Sequence, residues 1–394
     1  MSILSRSHRI VVLVAPFAVA TLVFTGCASR PDNSDTAKPP IPVASINALS
    51  GAVVLADSSR AAAAVFDRFN DEGGLDGRKI QYTALDDASD PSLTASAARD
   101  AIDNKGAVAL VGSSSNTDCL VNADFYKQSG IISIPGIGTD ESCFTKRISP
   151  ANTGPFNQIE LTLDYATKNL QLKSICGVIG VGRPSTQAAF EHVIANWTKQ
   201  TGAHFTDLEF IPYAASLDFA PYIIKAKELG CDAFLFNGPT SLSLSALGAA
   251  AAQGANNLTF LFSSASYTDQ FAAAAPKVGK GSYVVAEFAP YTDPNNQANK
   301  DWRDLMQKNH IPLTAFAQGG YLAALDFINT IKGIHGAITR ESVTAAFTTG
   351  SKPYENAMAG SPWVFGAPPT KAGWPVVLKP GATAWTTATN DWIK

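Results

Sequence analysis

Two short loops carry the residues best suited to chemistry. Gly112-Ser113-Ser114-Ser115-Asn116-Thr117 follows a buried-type strand, AVALVG, and precedes a helix running from Thr117 to Gln128. Backbone N–H groups in the first turn of a helix have no intrahelical partner. With the loop hydroxyls beside them they form a place to hold an anion, although the same hydroxyls also serve as plain helix caps. Pro135-Gly136-Ile137-Gly138-Thr139 ends the next strand, GIISIP, and Gly138 offers its N–H with no side chain in the way. Arg183, between Gly182 and Pro184, is a third anion candidate, because a guanidinium clamps a carboxylate with two parallel hydrogen bonds.

The constellations of common enzymes are missing. The sequence has no G-x-S-x-G, no H-E-x-x-H, no P-loop and no EF-hand loop. Gly180-Val181-Gly182 resembles half of a dinucleotide fingerprint, but the third glycine is lacking and Arg183-Pro184 intervenes. The five histidines (His8, His192, His204, His310, His335) lie far apart and no C-x-x-C occurs, so no metal site is expected. Asp86, Asp87 and Asp90 cluster, yet Asp90-Pro91 has the form of a helix cap followed by proline at the first helical position. No catalytic residue and no cofactor are expected, and the chain reads as a non-enzyme.

The elements that must position these loops follow one pattern. The chain has 394 residues, which at roughly 150 residues per domain points to two or three domains. Apolar residues make up 46%, charged residues 16%, and the formal charge is −3, which excludes a disordered chain and a basic nucleic-acid binder. From Ile41 strands alternate with helices: PVASINAL, a helix Val53 to Asn70 with Val54, Ala61, Val65 and Phe69 on its apolar face, then KIQYTALD and onward. A second set of the same units begins near Pro150. This predicts an α/β chain of two Rossmann-like lobes with mostly parallel sheets. The stretch from Ser351 reads as returning edge strands. Phe236, Asn237, Tyr267 and Tyr291 follow predicted strands and are candidates for an apolar wall with polar tips.

The first 26 residues read as a secretory leader. Arg6 and Arg9 precede fifteen uncharged residues, Ile10 to Phe24, and at ~1.5 Å per residue these fall short of a ~30 Å hydrocarbon core. Thr25-Gly26-Cys27 resembles a lipobox, which predicts lipidation of Cys27 and anchoring to the outer face of the cytoplasmic membrane. Residues 27–41, rich in proline, read as a tether. Cys119, Cys143, Cys176 and Cys231 remain, an even number in an exported chain, and allow three disulfide pairings.

Three stretches, FNDEGGLDGRKIQ, LDDASDPSLTASAARDAI and VALVGSSS with the later GIISIPGIGTD, together resemble the leucine/isoleucine/valine-binding family of type I periplasmic binding proteins. The resemblance covers about residues 41–394. It implies two lobes joined by a three-crossover hinge, with 42–152 plus about 288–345 in lobe 1 and 153–287 plus about 346–394 in lobe 2. It implies a small-molecule solute gripped by lobe closure, and ABC permease and ATPase subunits as partners. It also implies that Ser115 and Asn116, with Thr117 adjacent, and Thr139 hold a ligand carboxylate. Ser185 falls where amino-acid-binding relatives carry an aromatic residue. Ser263-Ser264-Ala265-Ser266-Tyr267 falls where they carry the glutamate that accepts an ammonium. A buried ammonium without a carboxylate partner costs several kcal/mol, so the expected solute is a small carboxylate-bearing molecule, either an amino acid whose ammonium finds another acceptor or an aromatic or other organic acid that lacks the α-amine. Asp269, the nearest acid in sequence, reads as a helix cap.

Cys119 near a helix start and Cys143 beyond the next strand are close in a parallel arrangement, which makes them the first choice of disulfide. Cys176 and Cys231, in neighbouring strands of a 2-1-3-4-5 order, are the second. The expected molecule is a monomer with no nucleic-acid partner. A ligand sensor without a transport role and an exported hydrolase on the same scaffold are the rival readings.

Overall fold

The computed structural model describes residues 38–51, 53–212, 216–350, 352–369 and 371–394. The leader, Cys27 and most of the tether lie outside the described residues. Lobe 1 is built on β1 (Ile41–Asn47), β2 (Ile80–Asp86), β3 (Ala109–Val111) and β4 (Ser133–Ile134), all parallel and ordered β2-β1-β3-β4. β1 is buried along nearly its whole length, as a central strand covered on both faces must be. Between the strands run α1 (Asp57–Asp71), α2 (Pro91–Arg99) and α3 (Asp118–Ser129). α1 buries Ala61, Ala62, Val65, Phe66 and Phe69. It starts later than its composition implies, and Val54, expected on the apolar face, precedes it and is exposed.

Lobe 2 begins with α4 (Pro155–Lys168) and repeats the unit: β5 (Ile175–Val181), α5 (Pro184–Thr201), β6 (Phe205–Pro212), α6 (Ala220–Glu228), β7 (Ala233–Asn237), α7 (Thr240–Ala252), β8 (Thr259–Phe262), α8 (Asp269–Ala274) and β9 (Gly281–Ala286). The chain then supplies α9 (Lys300–Lys308), α10 (Ala315–Ile331) and α11 (Arg340–Thr348), of which α10 packs on α1 and both α10 and α11 pack on β3. It ends with β10 (Trp374–Leu378) and β11 (Thr386–Thr387), which extend the second sheet antiparallel beside β9. The sheet order is β6-β5-β7-β8-β9-β10-β11, so its parallel part has the 2-1-3-4-5 sequence.

Backbone meets backbone where the first sheet's last loop is held. A Cβ added to Gly320 would lie 2.0 Å from the Ser58 carbonyl oxygen, and one on Gly319 would lie 2.2 Å from that of Gly136. Only glycine lets α10 approach the start of α1 and the loop after β4 this closely. Cys119 is bonded to Cys143, with Cα atoms 5.0 Å apart, which ties that loop to α3. Cys176 in β5 is bonded to Cys231 just before β7, with Cα atoms 5.9 Å apart.

Three crossovers join the lobes, and they are bonded to one another. The first, about 149–154, meets the third through Trp363 Nε1 to the Pro150 carbonyl (2.7 Å) and Thr153 Oγ1 to the Ala372 carbonyl (3.0 Å). The second meets the third through Ala289 N to the Met358 carbonyl (2.8 Å).

Beside the third crossover, Asp326 of α10 faces a cavity lined by Ile134, Ala151, Leu322, Tyr354, Asn356 and Trp363, and its Oδ2 is buried without a hydrogen bond. Burial pushes this carboxyl up to about 7. In strong acid the folded and unfolded chains both carry the proton. As pH rises, the unfolded chain loses it first, so stability falls until the folded group also ionises near 7. Asp326→Asn removes that loss. Denaturation of parent and variant across pH should show the variant gaining roughly 1–3 kcal/mol on the parent between pH 5 and pH 8.

Candidate functional site at the strand ends

The loop after β3 is held mainly by its own hydroxyls. Ser113 Oγ accepts from the Ile46 N–H at 3.1 Å. Ser115 Oγ accepts from the Thr117 and Asp118 N–H groups, both at 3.1 Å, and donates to the Asp87 carboxylate. That is a helix cap for α3. Thr117 Oγ1 lies 2.7 Å from the Thr94 hydroxyl and 3.3 Å from Asp87 Oδ2. Asp90 accepts from the Ser92 and Leu93 N–H groups and caps α2, and Asp86 accepts from Leu49, Ser50 and Ala88. Behind the loop, burial pushes Asp118 up to about 6, against hydrogen bonds from Asn122 and Tyr126. Asn116 alone is exposed in this loop, and its amide bonds no other residue of the described chain.

In the loop after β4, the Gly138 N–H donates to Asn152 Oδ1 at 2.9 Å, so it is already partnered. The Asn152 Nδ2 donates in turn to Glu287 Oε1 at 2.8 Å, where the Gly154 N–H also donates at 2.9 Å. Glu287 Oε2 accepts from the Ser264 hydroxyl at 2.7 Å. Burial pushes the Glu287 carboxyl up against the pull of these three donors. Sequence reasoning missed Glu287. It sits just past β9, and the β8–β9 register, with Phe262 opposite Val284, brings it beside the loop that follows β8. The available signal was a lone acid closing the apolar run GSYVVAE.

Thr139 is half-buried and its hydroxyl makes no hydrogen bond among the described residues. The next two residues reach the other lobe. Arg183 Nη2 lies 2.7 Å from Asp140 Oδ1 and 2.9 Å from Glu141 Oε1. Arg183, expected as an anion clamp, is thus engaged by two carboxylates of the chain itself. Ser185, in the first turn of α5, is exposed.

The apolar candidates divide. Phe236 packs edge-on against Phe219 with ring centroids 4.8 Å apart and is buried in the core. Tyr267 is buried too: its hydroxyl lies 2.9 Å from Thr292 Oγ1, and its carbonyl accepts from the Tyr291 hydroxyl at 2.5 Å. Asn237 ends β7, buried, with a side-chain amide that bonds nothing in the described chain. α8 is capped by Thr268, whose hydroxyl accepts from the Phe271 N–H at 3.0 Å, and Asp269 is its first helical residue. Among the described residues no group of three or more metal-ligating side chains occurs, and no helix is long and apolar enough to cross a membrane.

Two α/β lobes whose strand ends meet at a bonded hinge define a hinged solute-binding protein. The family model for periplasmic binding proteins matches residues 40–373, and the chain belongs to that family, which serves ABC transporters outside the cytoplasm. Its fold is that of the type I leucine/isoleucine/valine-binding members. The branched-chain amino acid transporter substrate-binding protein LivJ from Streptococcus pneumoniae, in complex with isoleucine, is 15% identical, with a TM-score of 0.72 covering 90% of this chain and 99% of that one. A fatty acid ABC transporter substrate-binding protein from Thermomonospora curvata is 16% identical, with a TM-score of 0.73 covering 90% and 92%. A solute-binding protein of an ABC transporter from R. palustris, in complex with 4-hydroxybenzoate, is 14% identical, with a TM-score of 0.74 covering 90% and 97%. Among curated proteins no sequence matches.

The split between engaged and free side chains is measurable. Ser115→Ala uncaps two N–H groups and removes a donor from a buried carboxylate, and should lower stability by about 1–2 kcal/mol. Asn116→Ala should stay within about 0.5 kcal/mol of the parent, with denaturant titration of both as the check.

Proposed function

We propose that the chain is the lipid-anchored solute-binding component of a branched-chain-amino-acid-type ABC importer, and that it captures a small organic acid by lobe closure and releases it unaltered. The observation that carries the choice of solute is the state of the acids near the strand ends. Glu287, the acid beside the position where an ammonium acceptor is expected, already accepts three hydrogen bonds, and Asp140 and Glu141 are taken by Arg183. A ligand α-amine would therefore meet no unpaired carboxylate there, and burying it would cost several kcal/mol. Among the described residues the polar groups left to a solute include the Thr139 hydroxyl, the Asn116 and Asn237 amides, the Ser185 hydroxyl, and the buried Arg183 Nε and Ser114 Oγ, which have no hydrogen-bond partner. These can donate to a carboxylate and to a second polar tip. Ser113, Ser115, Thr117 and Gly138 support them from behind. Isoleucine, fatty acids and 4-hydroxybenzoate, named with the structural neighbours, have a carboxylate in common and only the first carries an amine.

Thermal-shift and calorimetric titration of benzoate, 4-hydroxybenzoate, short fatty acids, leucine and isoleucine tests the reading. Organic acids should raise the melting temperature and their methyl esters should not. Thr139→Ala should weaken binding about tenfold or more, the worth of one hydrogen bond to a charged group. Tight leucine binding with no binding of its deaminated analogue would refute the choice of solute.

The anchor is tested separately. The leader and Cys27 predict a chain held at the outer face of the cytoplasmic membrane. Cys27→Ser should move the protein from the membrane pellet to the soluble exported fraction. Unchanged pelleting after that substitution would exclude lipidation at Cys27.

A further inference from the structure

Four side chains bridge the lobes away from the crossovers. Asp140 and Glu141 stand on the lobe 1 loop after β4, which the Cys119–Cys143 disulfide ties to α3. Arg183 and Thr186 stand at the start of α5 in lobe 2. Arg183 Nη2 reaches both acids, and Thr186 Oγ1 lies 2.7 Å from Asp140 Oδ2 and 3.0 Å from Glu141 Oε2. The Ser142 N–H and hydroxyl donate to Asp140 Oδ1 at 3.0 and 2.6 Å, so the carboxylate is anchored within its own lobe. Burial pushes the Asp140 carboxyl up, but the hydrogen bonds from Ser142 and Thr186 outweigh it and hold the group below its ordinary value.

We propose that this quartet is a cross-lobe latch that positions Thr139 and Ser185 against one another and sets how long a closed lobe pair holds its solute. The inference rests on the lobe-closure reading above and assigns four residues to the closing step. Its first support is covalent: Thr139 is the neighbour of Asp140, and Ser185 lies between Arg183 and Thr186. Whatever fixes the latch fixes the spacing of the two candidate ligand contacts.

The second support is electrostatic. Asp140 and Thr186 are buried, whereas the side chains of Arg183 and Glu141 are 32% and 29% exposed. The pairs are sheltered enough to outweigh a surface ion pair and wet enough to escape the full dehydration cost of a buried one. Among the described residues neither acid has another cation within ion-pair distance. Parting the lobes leaves two adjacent like charges facing water, so separation loses an attraction and exposes a repulsion. The third support is mechanical. Crossover bonds join segments that are continuous with both lobes and persist through a rotation, but the latch joins them by side chains alone and must break when they part.

Arg183→Gln, Asp140→Asn and the double variant form the test, with Thr186→Val as a milder probe that keeps side-chain shape. X-ray scattering of the unliganded chains reads closure with no solute present, and stopped-flow dissociation of 4-hydroxybenzoate reads residence time. Each charge variant should have a larger radius of gyration than the parent and release the probe roughly tenfold faster. The double variant should be no worse than either single. Thr186→Val should shift both readouts the same way, by about two- to threefold in rate. Raising salt should reproduce the Arg183→Gln behaviour in the parent and leave the variant unmoved. An unchanged scattering profile in Arg183→Gln, or additive effects in the double variant, overturns the latch. Failure of the parent to bind any organic acid faults the reading of function instead, and leaves the scattering arm to decide the latch by itself.

Discussion

A buried carboxylate must be hydrogen-bonded or neutralised, and Glu287 meets that demand with donors drawn from separate parts of the chain. Asn152 and Gly154 come from the first crossover, Ser264 from the loop after β8, and Glu287 itself opens the second crossover. Asn152 passes the connection on to the Gly138 N–H in lobe 1. Taking away one donor would leave an acceptor stranded in the interior, at about 1–3 kcal/mol or more. The hinge and two strand-end loops therefore share one polar network.

Each lobe prepares its loops in advance by satisfying the groups that hold them. Ser113 and Ser115 close the first loop onto β1 and α3, while the glycines at 136, 319 and 320 let backbone pack on backbone behind the second. The side chains of Asn116, Thr139, Ser185 and Asn237, which make no hydrogen bond among the described residues, stand on loops or element ends whose backbone is held by these contacts. Side chains carried on backbone fixed in this way would lose little conformational entropy on contacting a solute.

Much of this order was legible in the sequence because it is local. Alternating strands and helices, Asp90-Pro91 as a cap, and the turn FNDEGGLDG are short-range patterns, and the helix after Ser115 was placed within a residue at each end. Parallel pairing was legible from the helical connections between strands, whereas the 2-1-3-4-5 order came from the likeness to doubly wound folds and is the order the second sheet has. What stayed hidden depends on contacts between distant segments. Glu287 meets Asn152 across 135 residues, and Asp140 meets Arg183 across 43. No period or motif encodes either meeting. Arg183 was legible as a carboxylate partner, but not that the carboxylates would be the chain's own.

The same two meetings decide what motion is left to the molecule. Three crossovers bonded to each other through Trp363, Thr153 and Ala289 resist shear, because sliding one past another would break several hydrogen bonds at once. Rotation about the bundle keeps those bonds and separates only the side-chain contacts at the strand ends. Under the proposed lobe closure, the candidate contacts within each lobe would move as a rigid set, and the variable between open and closed would be the distance from Thr139 and Asn116 to Ser185 and Asn237. On that proposal, selection among solutes would be a matter of which molecule spans that distance when the Asp140–Arg183 pair is made. A solute too long to fit would hold the pair apart and forfeit its contribution, and one too short would leave polar groups unpaired.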